Sequence, residues 1–238
     1  MTAATTLEFA ESMERLVEGK ATVAEVRRFG AGGSSDDAIL FYREMVRRQR
    51  RGILDGFFAA ARLACKRAQG GRWERLAERY IREHPPRAWN PNAWAVELPL
   101  HAARLAPDLA ADETALLDYA CVRYRAMHAS HGPVPRLDAD VFVRLYPCDV
   151  TPYSERAEVG EAPPPPARRA TPLLVTRSRT TGRMVVYRAA AATLLALEEA
   201  LLGGVGGASD PRVEDERARL VELGVLPAAL PATERHGS

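Results

Sequence analysis

Five histidines and three cysteines are the side chains of this chain most able to bind a metal or to act as base or nucleophile. None falls at the C-x-x-C, H-x-x-x-H or H-E-x-x-H spacing that places ligands on one helical face or in one tight turn. His128 and His131 are three apart but straddle the expected end of a helix, and His101, four residues before Leu105, reads as a hydrogen-bonded interior or boundary histidine of a short helix. A serine nucleophile needs a base within reach and an oxyanion site. There is no G-x-S-x-G elbow, and neither Gly30–Gly33 nor Gly203–Gly207 runs into the Lys-Ser or Lys-Thr of a phosphate loop. Asp108, Asp112, Glu113 and Asp118 gather around the start of a helix, where the positive end of the dipole favours them without any catalytic role. The expectation is a chain that binds, with no catalytic residue, cofactor or metal ligand of its own.

One dense basic patch stands out. Arg43, Arg47 and Arg51 are spaced by four and share one helical stripe, continued by Arg62, Lys66 and Arg67. Such a stripe is a candidate partner-binding face toward phosphates or an acidic protein surface, and a solvated helix face is its bland alternative. The whole chain carries 33 basic and 31 acidic side chains for a net charge of +2, so it has no global field of the kind a polyanion binder carries. Nucleic acid is therefore not the expected partner, and a DNA-binding transcriptional regulator is kept as the second reading.

With 238 residues and 47% hydrophobic content, the chain can fill one large core or two modest ones. The N-terminus lacks a basic segment followed by an apolar one, and no window approaches the roughly 20 apolar residues that span a bilayer. A cytoplasmic protein with no membrane partner is expected. Cys65, Cys121 and Cys148 are odd in number and far apart, which reads as reduced thiols.

The elements that position any site follow from periodicity. Phe9, Met13, Leu16 and Val17 repeat at helical spacing ahead of Gly19, and Ile39, Tyr42 and Val46 share a face in a helix capped by Ser35 or Asp36. Gly52 is expected to divide that helix from a second, broadly apolar one carrying Ile53, Phe57 and Ala60. Trp73, Leu76, Ala77, Tyr80 and Ile81 give a clean amphipathic helix that Pro85-Pro86 must end. After the turn-rich Trp89-Asn90-Pro91-Asn92, a short helix from Leu98 or Pro99 to Ala106 and a longer one over 108–128 follow, the latter with Leu116, Ala120, Tyr124 and Met127 on one stripe. Val141–Tyr146 alternates like a strand, and the proline-rich stretch 147–171 is expected as an exposed connector. Leu173–Thr176 and Met184–Tyr187 then pair as a hairpin around Gly182. A helix over 189–202 should bury Leu194, Leu197 and Leu201, and Ser209-Asp210-Pro211 opens a last helix that Gly224 ends. The fold class is α+β, mostly α: a helical bundle domain over 1–130, then a small hairpin-plus-helices module over 131–238.

Trp73-Glu-Arg-Leu-Ala-Glu-Arg-Tyr-Ile-Arg-Glu-His-Pro-Pro86, followed by Leu98-Pro99-Leu100 and the alanine-rich acidic run Leu109–Leu116, resembles the HvfC-like family, whose N-terminal region carries a DNA-binding label. The similarity covers roughly Leu7 to His128 and, more loosely, the final hairpin and helices. Members of that family include partner proteins of multinuclear non-haem iron oxidative enzymes in peptide natural-product biosynthesis. The resemblance implies a non-catalytic partner of a TIM-barrel multinuclear iron enzyme that helps to recognise or present a ribosomally synthesised precursor peptide. The C-terminal module is similar to winged-helix-like peptide-recognition elements, in which a peptide adds a strand beside a helix. By position the exposed strand would be Arg183–Arg188 and the covering helix Glu214–Leu223, which makes Val185, Tyr187, Arg217, Leu220 and Val221 the candidate peptide contacts. One departure is the glycine-rich stretch between Leu202 and Pro211, which leaves no room for a third helix.

Overall fold

The computed structural model describes residues 3–28, 35–68, 70–86, 90–132, 135–202 and 210–228. The chain forms an α+β structure, mostly helical, with one three-stranded antiparallel sheet. It divides into two compact units, Met1–Leu117 with Ser154–Pro164, and Asp118–Tyr153 with Pro165–Ser238. The expectations placed on Gly30–Gly33, Trp89 and Gly203–Gly207 lie outside the described residues.

The first unit is helical. It holds α1 (Ala3–Val17), α2 (Val23–Arg28), α3 (Asp36–Phe57), α4 (Ala59–Arg67), α5 (Arg72–Glu83), α6 (Pro91–Ala95), α7 (Leu98–Leu105) and the start of α8 (Ala111–His128). Ser35 caps α3 by accepting the Ala38 amide, one of the orphan donors of a helix start. Gly52 does not divide this helix: α3 runs through it and ends at Phe58, whose backbone leaves the helical region at φ −110°. Phe58 is buried edge-on against Trp73 at 6.2 Å. Seating that ring outweighs the roughly 1 kcal/mol that a glycine costs inside a helix.

The helix α5 buries the five residues that its spacing marked, Trp73, Leu76, Ala77, Tyr80 and Ile81. The Trp73 indole donates to Asp55 Oδ1 at 2.6 Å, and the Tyr80 hydroxyl donates to the Trp94 carbonyl at 2.7 Å. Trp94 belongs to α6, a short helix in the stretch expected to be only turns. Asn90 starts it by accepting the Asn92 and Ala93 amides, with Pro91 in the first turn, where no amide hydrogen is needed.

The second unit is built on β1 (Val141–Tyr146), β2 (Thr171–Arg177) and β3 (Met184–Arg188), ordered β1-β2-β3. The sheet pairs Val143 with Leu174 and Leu174 with Tyr187, so Val141, Val143, Leu174, Val185 and Tyr187 share one face. That face packs with Ala196, Leu197 and Ala200 of α10 (Ala191–Leu202) and Val213 and Leu220 of α11 (Pro211–Glu222). The opposite face meets the later part of α8. Tyr119 lies edge-on to Tyr146 at 5.8 Å, and the Tyr146 hydroxyl donates to Asp118 Oδ2 at 2.8 Å.

Three further expectations change. The stretch 147–171 is not simply a connector, because it contains α9 (Val150–Glu158) and the start of β2. Val150, Tyr153 and Ala157 are buried at helical spacing, and Pro152 is tolerated because it falls in the first turn. Residues 147–149 and 159–170 lack helix and strand. In α10 the buried side is Thr193, Ala196, Leu197 and Ala200, while Leu194 is exposed. On α8 the expected stripe is not the buried one: Leu116 is buried but Met127 is exposed, and Ala115, Leu117, Tyr119, Val122 and Ala126 are buried around it.

Candidate functional site

Among the described residues, one edge of β3 is open. Ser178 donates its amide to the Arg183 carbonyl at 2.7 Å, and Ala189 donates to the Pro172 carbonyl at 3.0 Å. Bonding directions alternate along an antiparallel ladder. The two bonds therefore turn the amides of Arg183, Val185, Tyr187 and Ala189 toward β2, and those of Met184, Val186 and Arg188 away from it. Within the sheet β3 has β2 as its single hydrogen-bonded neighbour.

The loop between β2 and β3 holds α11 in place beside this edge. Gly182 takes φ +68° and donates to the Ser178 carbonyl, and the Arg179 amide donates to the Gly224 carbonyl at 2.7 Å. The Arg179 guanidinium donates to Asp140 Oδ2 at 3.0 Å and to the Gly132 and Val225 carbonyls. Asp140 is fully buried and also accepts the Arg136 amide. One buried ion pair thus joins the hairpin loop, the start of β1 and the end of α11.

Across from β3, α11 presents a polar cluster. Glu216 accepts from the Tyr187 hydroxyl at 3.2 Å and from Thr193 Oγ1 at 2.8 Å, and the Arg219 guanidinium lies 5.1 Å from the Tyr187 ring centre. Burial first, and the Glu216 carboxylate second, push the Tyr187 hydroxyl above its ordinary pKa, so it stays a neutral donor.

The five residues proposed as peptide contacts do not form one surface. Val185 and Tyr187 are half-buried on the α11 side of β3. Leu220 is a correction: it is 0% exposed within the core, so no peptide can touch it. At about 100° per residue, Arg217 and Val221 fall on the flank of α11 opposite Glu216 and Arg219. There they line a separate groove of about 570 Å³ with Leu226, Pro227 and Ala228. The β3 residues with outward amides are Met184, Val186 and Arg188, and Arg183 joins Val185 and Tyr187 on the α11 side, with Glu216 and Arg219 against Tyr187. Strand alternation was enough to find the first four, whereas the helix phase could not be set before the core was known.

On the arginine stripe, Arg47 and Arg51 already have carboxylate partners. Arg47 pairs with Glu78 at 2.6 Å, and Arg51 pairs with Asp55 at 2.8 Å and approaches Glu74 at 3.7 Å. Arg43 keeps a buried Nε without a hydrogen-bond partner. Beside the stripe, α3 exposes Phe41 (72%), Tyr42 (46%) and Met45 (45%). An apolar cavity of about 810 Å³ opens between α1 and α3, lined by Phe9, Met13, Ile39, Tyr42, Val46 and Ile53 among others, with the Glu14–Arg50 pair in its wall.

Among the described residues, no three His, Cys, Asp or Glu side chains are grouped to hold a metal ion. His84 and His101 stack at 3.7 Å between ring centres. Cys65, Cys121 and Cys148 are free and buried. Burial, and then Glu113, push the Cys65 thiol up to about 12. No described helix is long and apolar enough to cross a membrane. In comparisons with known proteins, the chain matches no family model and no curated protein.

Proposed function

We propose that this chain is a non-catalytic partner subunit that helps to present a ribosomally synthesised precursor peptide to a separate iron-dependent oxidative enzyme. Its C-terminal unit works as a winged-helix-like recognition module in the cytoplasm, taking the peptide as a fourth strand on β3. The observation that carries this reading is the open β3 edge with α11 beside it. Outward amides at alternate positions supply affinity that does not depend on sequence, and the flanking side chains supply choice. The helical unit is the part that docks on the enzyme. The exposed Phe41, Tyr42 and Met45 favour it, since large apolar side chains gathered on one surface suit a partner. The carboxylates already tied to Arg47 and Arg51 weigh against a phosphate-binding role for that face.

The test is co-expression with the TIM-barrel protein and the short peptide encoded in neighbouring reading frames. Wild-type chain should co-purify with both. Val186→Pro should keep the enzyme and lose the peptide, because proline removes only an outward amide and is tolerated on an edge strand. Neighbouring frames that encode neither partner would overturn the reading, as would peptide retention unchanged by Val186→Pro.

A further inference from the structure

The α11 side of β3 carries, at every second residue, Arg183, Val185 and Tyr187. Arg183 is exposed, and Val185 is half-buried against the core. Tyr187 lies under the exposed Arg219 guanidinium. Next to Tyr187 on the β2 side is Leu174, which is fully buried, whereas Arg219 over the ring is solvent-facing. Among the described residues no carboxylate pairs with Arg183 or Arg219. Glu216 is turned inward, with its oxygens accepting from Tyr187 and the buried Thr193. Arg188 is already paired with Asp149. The edge therefore offers, in order, a free cation, an apolar position, and an aromatic ring topped by a second free cation.

Side chains directly opposite one another on neighbouring strands stand about 5 Å apart, and opposite charges at such positions attract. Resting on the strand-addition reading above, we infer that β3 selects an acidic peptide strand in the order acidic, any, apolar, any, acidic. One carboxylate meets Arg183, the apolar side chain meets Val185, and the other carboxylate meets Arg219 over Tyr187. The order is the same read from either end, so it serves a parallel or an antiparallel strand. The class of ligand is thus an extended acidic peptide segment, with its two carboxylates about 13 Å apart along the strand.

Fluorescence anisotropy with the full chain and short labelled peptides tests this. One peptide carries the order above in a serine and threonine background, a second replaces both acids with their amides, and a third replaces both with lysine. The acidic peptide should bind about three- to thirtyfold more tightly than the amide peptide, and the difference should shrink as salt is raised. In the Arg183→Glu, Arg219→Glu chain the lysine peptide should become the preferred one, with a circular dichroism melt confirming that the variant folds. Arg183→Glu alone, far from the core, should give half of the change. Equal binding of acidic and amide peptides, with both lost in Val186→Pro, would overturn the charge code and leave strand addition standing. Binding of all three peptides unaffected by Val186→Pro, or binding of none, would overturn both.

Discussion

Replacing Gly224 with alanine would put a methyl group where the end of α11 meets the β2–β3 loop. The added Cβ would lie 2.4 Å from Ser178 Oγ, 2.6 Å from Thr180 Oγ1 and 3.1 Å from the Thr180 backbone nitrogen. The two hydroxyls can rotate aside, but the backbone nitrogen cannot move without opening the bond from Arg179 to Gly224. Gly224 also takes φ +70°, and a left-handed backbone costs an ordinary residue about 1–2 kcal/mol. Overpacking adds about 1–3 kcal/mol, for a total of about 2–5 kcal/mol. Tryptophan fluorescence is the wrong assay, because Trp73 and Trp94 report on the helical unit. Hydrogen exchange at the β2 and β3 amides is the right one, and protection there should fall by about thirtyfold or more. In a Ser178→Ala, Thr180→Ala background, part of the clash is gone and the same substitution should cost less. A cost below about 1 kcal/mol, or one unchanged by that background, would refute the picture of a loop that clamps α11.

Two other outcomes follow from buried charge and from a stacked imidazole. Asp140→Ala should destabilise the second unit by about 3–5 kcal/mol, since it strands the largely buried Arg179 guanidinium; urea unfolding followed by far-ultraviolet circular dichroism checks this, and a neutral result would show that the pair is dispensable. His84 is held below the ordinary imidazole pKa by burial, then by His101 and Arg104. The unfolded chain therefore binds a proton more readily, so stability is full above the ordinary histidine range and falls as pH drops through it toward the lower folded value. The urea midpoint read by tryptophan fluorescence should decline between about pH 7 and pH 5, and His84→Phe, which keeps the ring stack, should flatten the decline. An unchanged slope in that variant would acquit His84.

The parts of the fold legible in the sequence are those where local chemistry and burial agree. On α5 the apolar spacing, the prolines after it and the buried set coincide. On α11 the Asp210 cap and Pro211 mark the start, and Gly224 with its positive φ marks the end. The misread parts are those where tertiary packing overrules a local signal. Prolines at 147 and 152 hid α9, although Val150, Tyr153 and Ala157 already had helical spacing. The break assigned to Gly52 belongs to Phe58, because an aromatic ring seated against Trp73 decides where α3 stops. Leu194 looked like core, yet it is exposed, and Ala196, Leu197 and Ala200 enter the core instead.

The site was half legible for a related reason. A strand has only two faces, so identifying β3 also gives which residues share a side with Tyr187 and which amides point outward. A helix has a continuous circumference, and a one-residue error in phase turns a contact by about 100°. Leu220 and Arg219 are neighbours in sequence, yet Leu220 fills the core while Arg219 lies on the Tyr187 ring. The same reasoning separates two surfaces on α11 that a peptide cannot occupy as one: the flank with Glu216 and Arg219 beside β3, and the flank with Arg217 and Val221 along Leu226–Ala228. A ligand that uses backbone amides must lie along β3, and only the first flank borders that path. If a peptide adds to β3 as proposed, charge at Arg219 and Arg183 should change which peptide is held, while changes at Arg217 should not.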